Sequence, residues 1–160
     1  MGDPGRVLEI RSAKMDVYTD LVNQSSIVAR EGVADYLEKP RISTGELVVA
    51  SLTPDSFAQR ILKASGLWDF FTHILTEASV SRLKPYPDVY LLAAEKSGVV
   101  SANLIVHEDS PPGVAAAKRA GSLVAAFPVY ENLNFDPKPD LIYTSWIGLD
   151  PGEIAEKLVR

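Results

Sequence analysis

Cysteine is absent from the 160 residues, which excludes disulfides, thiolate metal sites and a cysteine nucleophile. Long apolar runs are missing too: the longest hold about five residues, far below the roughly 20 needed to span a membrane. Met1-Gly2-Asp3-Pro4 opens the sequence without the hydrophobic stretch of a signal peptide. Basic clusters are also lacking. With 16 Lys and Arg against 21 Asp and Glu the net charge is −5 and the pI near 5.0, which argues against a nucleic-acid partner, since such partners demand a basic stripe. What remains is 46% hydrophobic and 23% charged residues, the balance of an ordinary globular domain. A chain of this length can bury a real core. The expectation is a cytoplasmic protein with no membrane contact.

From residue 46 onward, strand and helix patterns alternate. Glu46–Ser51, His73–Thr76, Leu104–Glu108, Leu123–Phe127 and Leu141–Thr144 are short and apolar nearly throughout, as strands buried on both faces are. Between them, Thr53 is placed to cap a helix over Pro54–Ser65, with Phe57, Ile61 and Leu62 on one face and Gly66 as the stop. A second helix over Pro87–Ser97 turns Val89, Leu92 and Ala93 inward. Ser110 is placed to cap a third that opens with Pro111 and Pro112 and ends at Gly121, and Pro151–Val159 forms the last. Repeated β–α units of this size imply an α/β fold with a doubly wound parallel sheet. Residues 1–40 differ. Met15, Tyr18 and Leu21/Val22 make a helical stripe, and Gly32–Lys39 make another. Val7–Ile10 is the one strand-like stretch there, and a polar link from Pro40 to Gly45 follows. The expected division is 1–40, helical, and 41–160, the α/β core. Pro128–Asp140 reads as a surface loop.

In open α/β sheets, ligands collect at the carboxyl ends of strands. Ser51 ends one apolar strand, and its hydroxyl, with the free amides of Leu52 and Thr53 at the following helix start, suits a phosphate oxygen. Lys84 sits in Leu83-Lys84-Pro85-Tyr86-Pro87-Asp88, where two prolines stiffen the path and aim the ammonium at a point; an aimed ammonium holds phosphate or neutralises charge during its transfer. Leu104-Ile105-Val106 leads into Glu108–Asp109, two adjacent carboxylates of the hard-oxygen kind that Mg²⁺ accepts. Each has a plainer account. Thr53, Asp109 and Ser110 serve equally as helix caps, and a lone lysine is usually a solvated one. His73 and His107 fall within strands and read as structural. Trp68, Trp146 and Phe70–Phe71 read as packing residues.

Taken together, Ser51-Leu52-Thr53-Pro54, Lys84-Pro85-Tyr86-Pro87-Asp88 and Glu108-Asp109-Ser110-Pro111-Pro112-Gly113, followed by Ala115–Gly121, resemble the haloacid dehalogenase superfamily. The pattern is most similar to its β-phosphoglucomutase-like phosphatases and mutases, over about residues 12–160. The resemblance implies a Rossmann-like core and Mg²⁺-dependent phosphoryl transfer on a small phosphorylated metabolite. It assigns Ser51, Leu52 and Thr53 to phosphate binding, although relatives often carry Ser or Asn immediately after the phosphate-binding residue. It assigns Lys84 to steadying nucleophile and phosphate, Glu108 and Asp109 to Mg²⁺, and Ser110 to a place beside them.

The departure is at the front. The family's chemistry uses an Asp-x-Asp pair ending an N-terminal strand, one aspartate attacking phosphorus and the other acting as acid and base. No Asp-x-Asp occurs in this sequence; Asp16 and Asp20 fall in the helical stripe. Residues 12–39 resemble the end of a helical cap and its return helix. The expectation is therefore a truncated hydrolase, inactive as it stands; the alternative is a non-catalytic phosphate- or partner-binding module. In the family the missing strand is central, so its loss exposes two interior sheet edges. Val7–Ile10 could fill the space, the edges could close on each other, or another chain could supply a strand, with self-association through those edges as one form of that.

Overall fold

The computed structural model describes residues 27–42, 45–130 and 132–159, together with Arg6, Glu9, Ala13, Asp16, Val17, Thr19 and Asp20. Strand β1 (Val48–Ala50) pairs in parallel with β2 (His73–Leu75), Val49 lying opposite Ile74. Strands β3 (Ile105–Glu108), β4 (Leu123–Ala126) and β5 (Leu141–Ile142) form a second parallel sheet with β4 in the middle. All five expected strands are present, each one to three residues shorter than its apolar run. Residues just past their ends still donate ladder-type bonds: the Ser51 amide to Leu75 and the Phe127 amide to the Glu108 carbonyl.

Helices cover both faces. Helix α3 (Asp88–Lys96) packs on β1 and β2, and α4 (Pro111–Arg119) on β3 and β4. On the opposite side α5 (Pro151–Val159) packs on β4, and α1 (Val33–Ile42) packs against α5. Helix α2 (Asp55–Ala64) follows β1 and leans on the short turn Trp68–Phe70. Successive strand residues feed the two sides alternately. Val106 joins the apolar cluster with Val89, Val114 and Ala117, while Ile105 packs into the one around Tyr36, Phe127 and Ile154. Burying a Val, Ile or Phe side chain stabilises the fold by about 1.5–3 kcal/mol each. Val89, Val114, Val124, Phe127 and Ile154 are all at most 2% exposed. In α4, Ala116 and Ala117 are fully covered, so the helix backbone can lie close to the sheet. This is the doubly wound α/β arrangement that the sequence implied.

Several local expectations change. Helix α1 runs on through Pro40 to Ile42, where a polar link was expected. Gly32, just before it, has φ +83°, and a β-carbon there would meet the Trp146 carbonyl carbon at 2.7 Å. Thr53 does not cap α2: the helix begins at Asp55, so the N-cap position is Pro54, one residue past Thr53, with no side-chain hydrogen bond; the Thr53 amide donates to Ser51 Oγ at 3.0 Å. Pro87 likewise occupies the N-cap of α3 rather than its first turn. Ser110 does cap α4, accepting from the Gly113 amide. The segment 128–140 is irregular, as expected, but not merely superficial, since Phe135 is 8% exposed and anchors it in the core.

The larger change is that one expected sheet is two. Among the described residues, β1 and β3 do not pair with each other. Of Val7–Ile10, only Glu9 is described, and it is helical; Val7, Leu8 and Ile10 of that strand-like stretch lie outside the described residues. Met15, Tyr18, Leu21 and Val22 lie outside the described residues; Arg6, Ala13, Asp16, Val17, Thr19 and Asp20 are helical.

Candidate functional site

The carboxyl ends of β1 and β3 open onto a cavity of about 580 Å³. Ser51, Leu52, Thr53, Lys84, Glu108, Asp109 and Ser110 all line it, so the residues expected to bind phosphate and metal meet at one cavity. Arg30, Val33, Leu67, His107, Phe127 and Trp146 complete the wall.

Lys84 is the link between the two sheets. It follows the turn Glu77–Ser79, and the Lys84–Pro85 peptide is cis. Its Nζ donates to the Ala50 carbonyl at the end of β1 (2.9 Å) and to Glu108 Oε1 at the end of β3 (2.5 Å). The Tyr90 ring lies beneath, its centroid 5.0 Å from Nζ. The two side chains are 8% and 5% exposed. In so dry a place an ion pair holds only when its remaining lone pairs and protons find partners.

Glu108 finds them. Oε1 also accepts from the Tyr90 hydroxyl. Burial first, and the Glu108 charge second, push the Tyr90 hydroxyl far above its ordinary range, which keeps it a donor. Oε2 accepts from the Ser110 hydroxyl at 3.1 Å and, at 3.2 and 3.4 Å, from the amides of Asp109 and Ser110. The carboxylate lies against Gly113, where a β-carbon would overlap it. Asp109, by contrast, is exposed at the lip of the cavity.

This bears on which residues could hold a cation. Among the described residues no group of three His, Asp or Glu comes together. Both Glu108 oxygens are occupied by donors from Lys84, Tyr90 and Ser110, so Glu108 fits as the anchor that fixes the lysine. Asp109 presents the accessible carboxylate, a hard-oxygen ligand suited to Mg²⁺.

The sequence pointed to neither Tyr90 nor the surroundings of His107. Tyr90 stands three and four residues before Ala93 and Ala94, all three at 4% exposure; a tyrosine on the small-residue face of a helix is a buried hydroxyl in search of a partner. His107 Nε2 lies 2.8 Å from the Tyr36 hydroxyl, and the ring makes edge contacts with Tyr36, Phe127 and Trp146. Its Nδ1 is buried with no partner among the described residues. Burial pulls the imidazole down to about 4, so it is neutral near pH 7. No single residue signals this cage, because its members come from β3, α1 and two separate loops.

Comparison with known proteins bears on the family and the fold. The sequence is 41% identical over 93 residues to protein YhcW of Bacillus subtilis, covering 58% of this chain and 42% of that protein. It is 32% identical over 112 residues to the phosphorylated carbohydrates phosphatase of Thermotoga maritima, covering 70% and 50%. Among solved structures, CbbY from Rhodobacter sphaeroides in complex with phosphate superposes with a TM-score of 0.81 at 25% identity, over all of this chain and 72% of that one. The β-phosphoglucomutase of Clostridium difficile matches in fold, with a TM-score of 0.81 at 23% identity over 98% and 69%. The chain spans about half the length of the curated relatives it matches. The pattern of the haloacid dehalogenase-like hydrolases matches residues 6–127, and the chain belongs to that family.

Proposed function

We propose that this chain carries the phosphate- and Mg²⁺-binding part of a phosphoryl-transfer site for a small phosphorylated metabolite, and that by itself it binds without turning over. The observation that carries this is the position of the Lys84 ammonium, fixed between Ala50 and Glu108 and facing the cavity shared by Ser51 and Asp109. An ammonium locked on two acceptors is preorganised, so it stabilises added negative charge without first having to reorient. Ser51 Oγ and the amides at the start of α2 supply neutral donors on the opposite wall. Asp109 would hold Mg²⁺, which would neutralise phosphate charge; with one accessible carboxylate, binding should be weak.

Turnover is a separate matter. The Asp-x-Asp pair that the family's chemistry uses does not occur in this sequence. Inorganic phosphate in the presence of Mg²⁺ should raise the thermal midpoint, and Lys84→Met should abolish that rise. With 4-nitrophenyl phosphate the pure chain should give no release above a no-protein blank. Metal-dependent hydrolysis would refute the claim of inactivity, and no phosphate-linked stabilisation would refute the site itself.

A further inference from the structure

Among the described residues that line the cavity, only Lys84 and Arg30 carry positive charge, and they are held in opposite ways. Lys84 is buried and neutralised by Glu108, 2.5 Å away. Arg30 is exposed, and no carboxylate among the described residues pairs with it. Its one hydrogen bond there runs from Nη1 to the Phe127 carbonyl at 3.4 Å. A guanidinium has five N–H donors, so most of the fork stays open to a ligand.

The loop that carries Arg30 is pinned. The Val33 amide donates to the Arg30 carbonyl at 3.1 Å, closing a turn at the head of α1. Gly32 takes φ +83° in that turn and lies so close to the Trp146 carbonyl that any side chain would collide with it. The backbone beneath Arg30 is thereby fixed against the segment after β5, and its side chain rests on the residue just past β4. The Phe127 amide donates to the Glu108 carbonyl, so Phe127 and Glu108 end neighbouring strands. Lys84 stands on the far side of Glu108 from Phe127, toward β1. The two cations are therefore one to two strand spacings apart, roughly 5–10 Å. They also come from opposite sides. Glu108, which fixes Lys84, meets Tyr90 of α3 and Gly113 of α4, whereas Arg30 arrives with α1. On that side the wall includes Val33, Leu67, Phe127 and Trp146, which join the apolar cluster around Tyr36.

We infer that Arg30 is a second anion site of this cavity, selecting phosphorylated metabolites that carry another oxyanion, a carboxylate or a second phosphate, at the far end of a short carbon chain. A planar guanidinium pairs with either group through two parallel N–H···O bonds, and the apolar wall beside it suits the carbon chain. The inference deepens the proposed function and rests on Lys84 holding the first phosphate.

Isothermal titration calorimetry of the 160-residue chain with Mg²⁺ present tests it. The two-headed probes are the phosphono acids from 4-phosphonobutyrate to 6-phosphonohexanoate and the matching diphosphonates. Alkylphosphonates of the same chain lengths keep the phosphonate and lose the second anion. At least one two-headed probe should bind about ten-fold more tightly than its alkyl twin, the scale of one charge-assisted hydrogen-bonded pair, and Arg30→Gln should bring that ratio close to one. The series with the larger gain tells carboxylate from phosphate. A ratio near one throughout in the unaltered chain would overturn the inference and leave the phosphate site standing. A ratio that survived Arg30→Gln would overturn it by placing the second contact elsewhere. Loss of alkylphosphonate binding in the variant would put Arg30 in the phosphate site itself, and would overturn it equally. If neither alkylphosphonates nor inorganic phosphate bound the unaltered chain, the phosphate site would fail and this inference with it.

Discussion

The Glu108 carboxylate occupies the space that a β-carbon on Gly113 would fill. This gives the glycine three residues after Ser110 a physical reason: the first turn of α4 must be bare so that the carboxylate can lie on it and reach Lys84 and Tyr90. Gly113→Ala should therefore displace Glu108 even though alanine is the better helix former. Overpacking of this kind costs about 1–3 kcal/mol, and for a chain of this length each kcal/mol lowers Tm by roughly 2–4 °C. A thermal melt should show a fall of several degrees. An unchanged or raised Tm would mean that the carboxylate is not held there.

Lys84 and Glu108 should be strongly coupled. Removing one member of a buried ion pair leaves the other charge without compensation and costs about 3–5 kcal/mol, whereas replacing both by neutral groups is far milder. Lys84→Met should lower the urea midpoint sharply, and Lys84→Met with Glu108→Gln should recover much of the loss. Because Lys84 is the cross-link seen between β1 and β3, the single variant should also raise amide exchange in the β1–β2 sheet more than in β4. Additive effects of the two substitutions would count against the pair.

Much of this was legible beforehand. Runs such as Leu47–Ala50 and Leu123–Phe127 announce strands covered on both faces, and Gly66, Gly98 and Gly121 mark the helix ends. The three strand-end motifs were legible because each sits beside a strong local signal. What was not legible depends on distance. Nothing near Tyr90 shows that its hydroxyl meets a carboxylate 18 residues away, and nothing near His107 shows Tyr36 above it. Thr53 misled because the helix starts one residue later than its pattern suggests, which leaves Pro54 at the N-cap. The division of the sheet could be anticipated only from a motif that the sequence lacks.

His107 predicts a pH dependence with a definite sign. Its folded value, about 4, lies below the ordinary 6.5 of an exposed imidazole because burial disfavours the charged form. Above pH 6.5 both folded and unfolded chains carry it neutral, and it costs nothing. As pH falls from 6.5 toward 4, the unfolded chain takes a proton that the folded chain refuses, so stability drops by about 1.4 kcal/mol per unit, up to roughly 3 kcal/mol in all. Asp140 and Asp150, held below their ordinary 3.8, lose their contribution only at still lower pH. His107→Phe should flatten the slope of urea stability between pH 6.5 and 4 while leaving that below 4. An identical slope in the variant would place the titrating group elsewhere.

Glu108 and Asp109 stand side by side in the sequence but should separate cleanly by experiment. Glu108 is buried and saturated with donors, so Glu108→Gln should act on stability, by weakening its hold on Lys84. Asp109 is exposed, and its side chain makes no hydrogen bond or ion pair among the described residues, so Asp109→Asn should leave Tm within about 1–2 °C, as surface substitutions do. Its effect should appear in Mg²⁺ titration calorimetry, as a loss of affinity on the order of ten-fold, equivalent to about 1.4 kcal/mol. The two readouts cross: one variant moves the melt, the other the titration. If Glu108→Gln abolished Mg²⁺ binding with the melt unmoved, Glu108 would be a ligand in its own right and its role as anchor for Lys84 would be wrong.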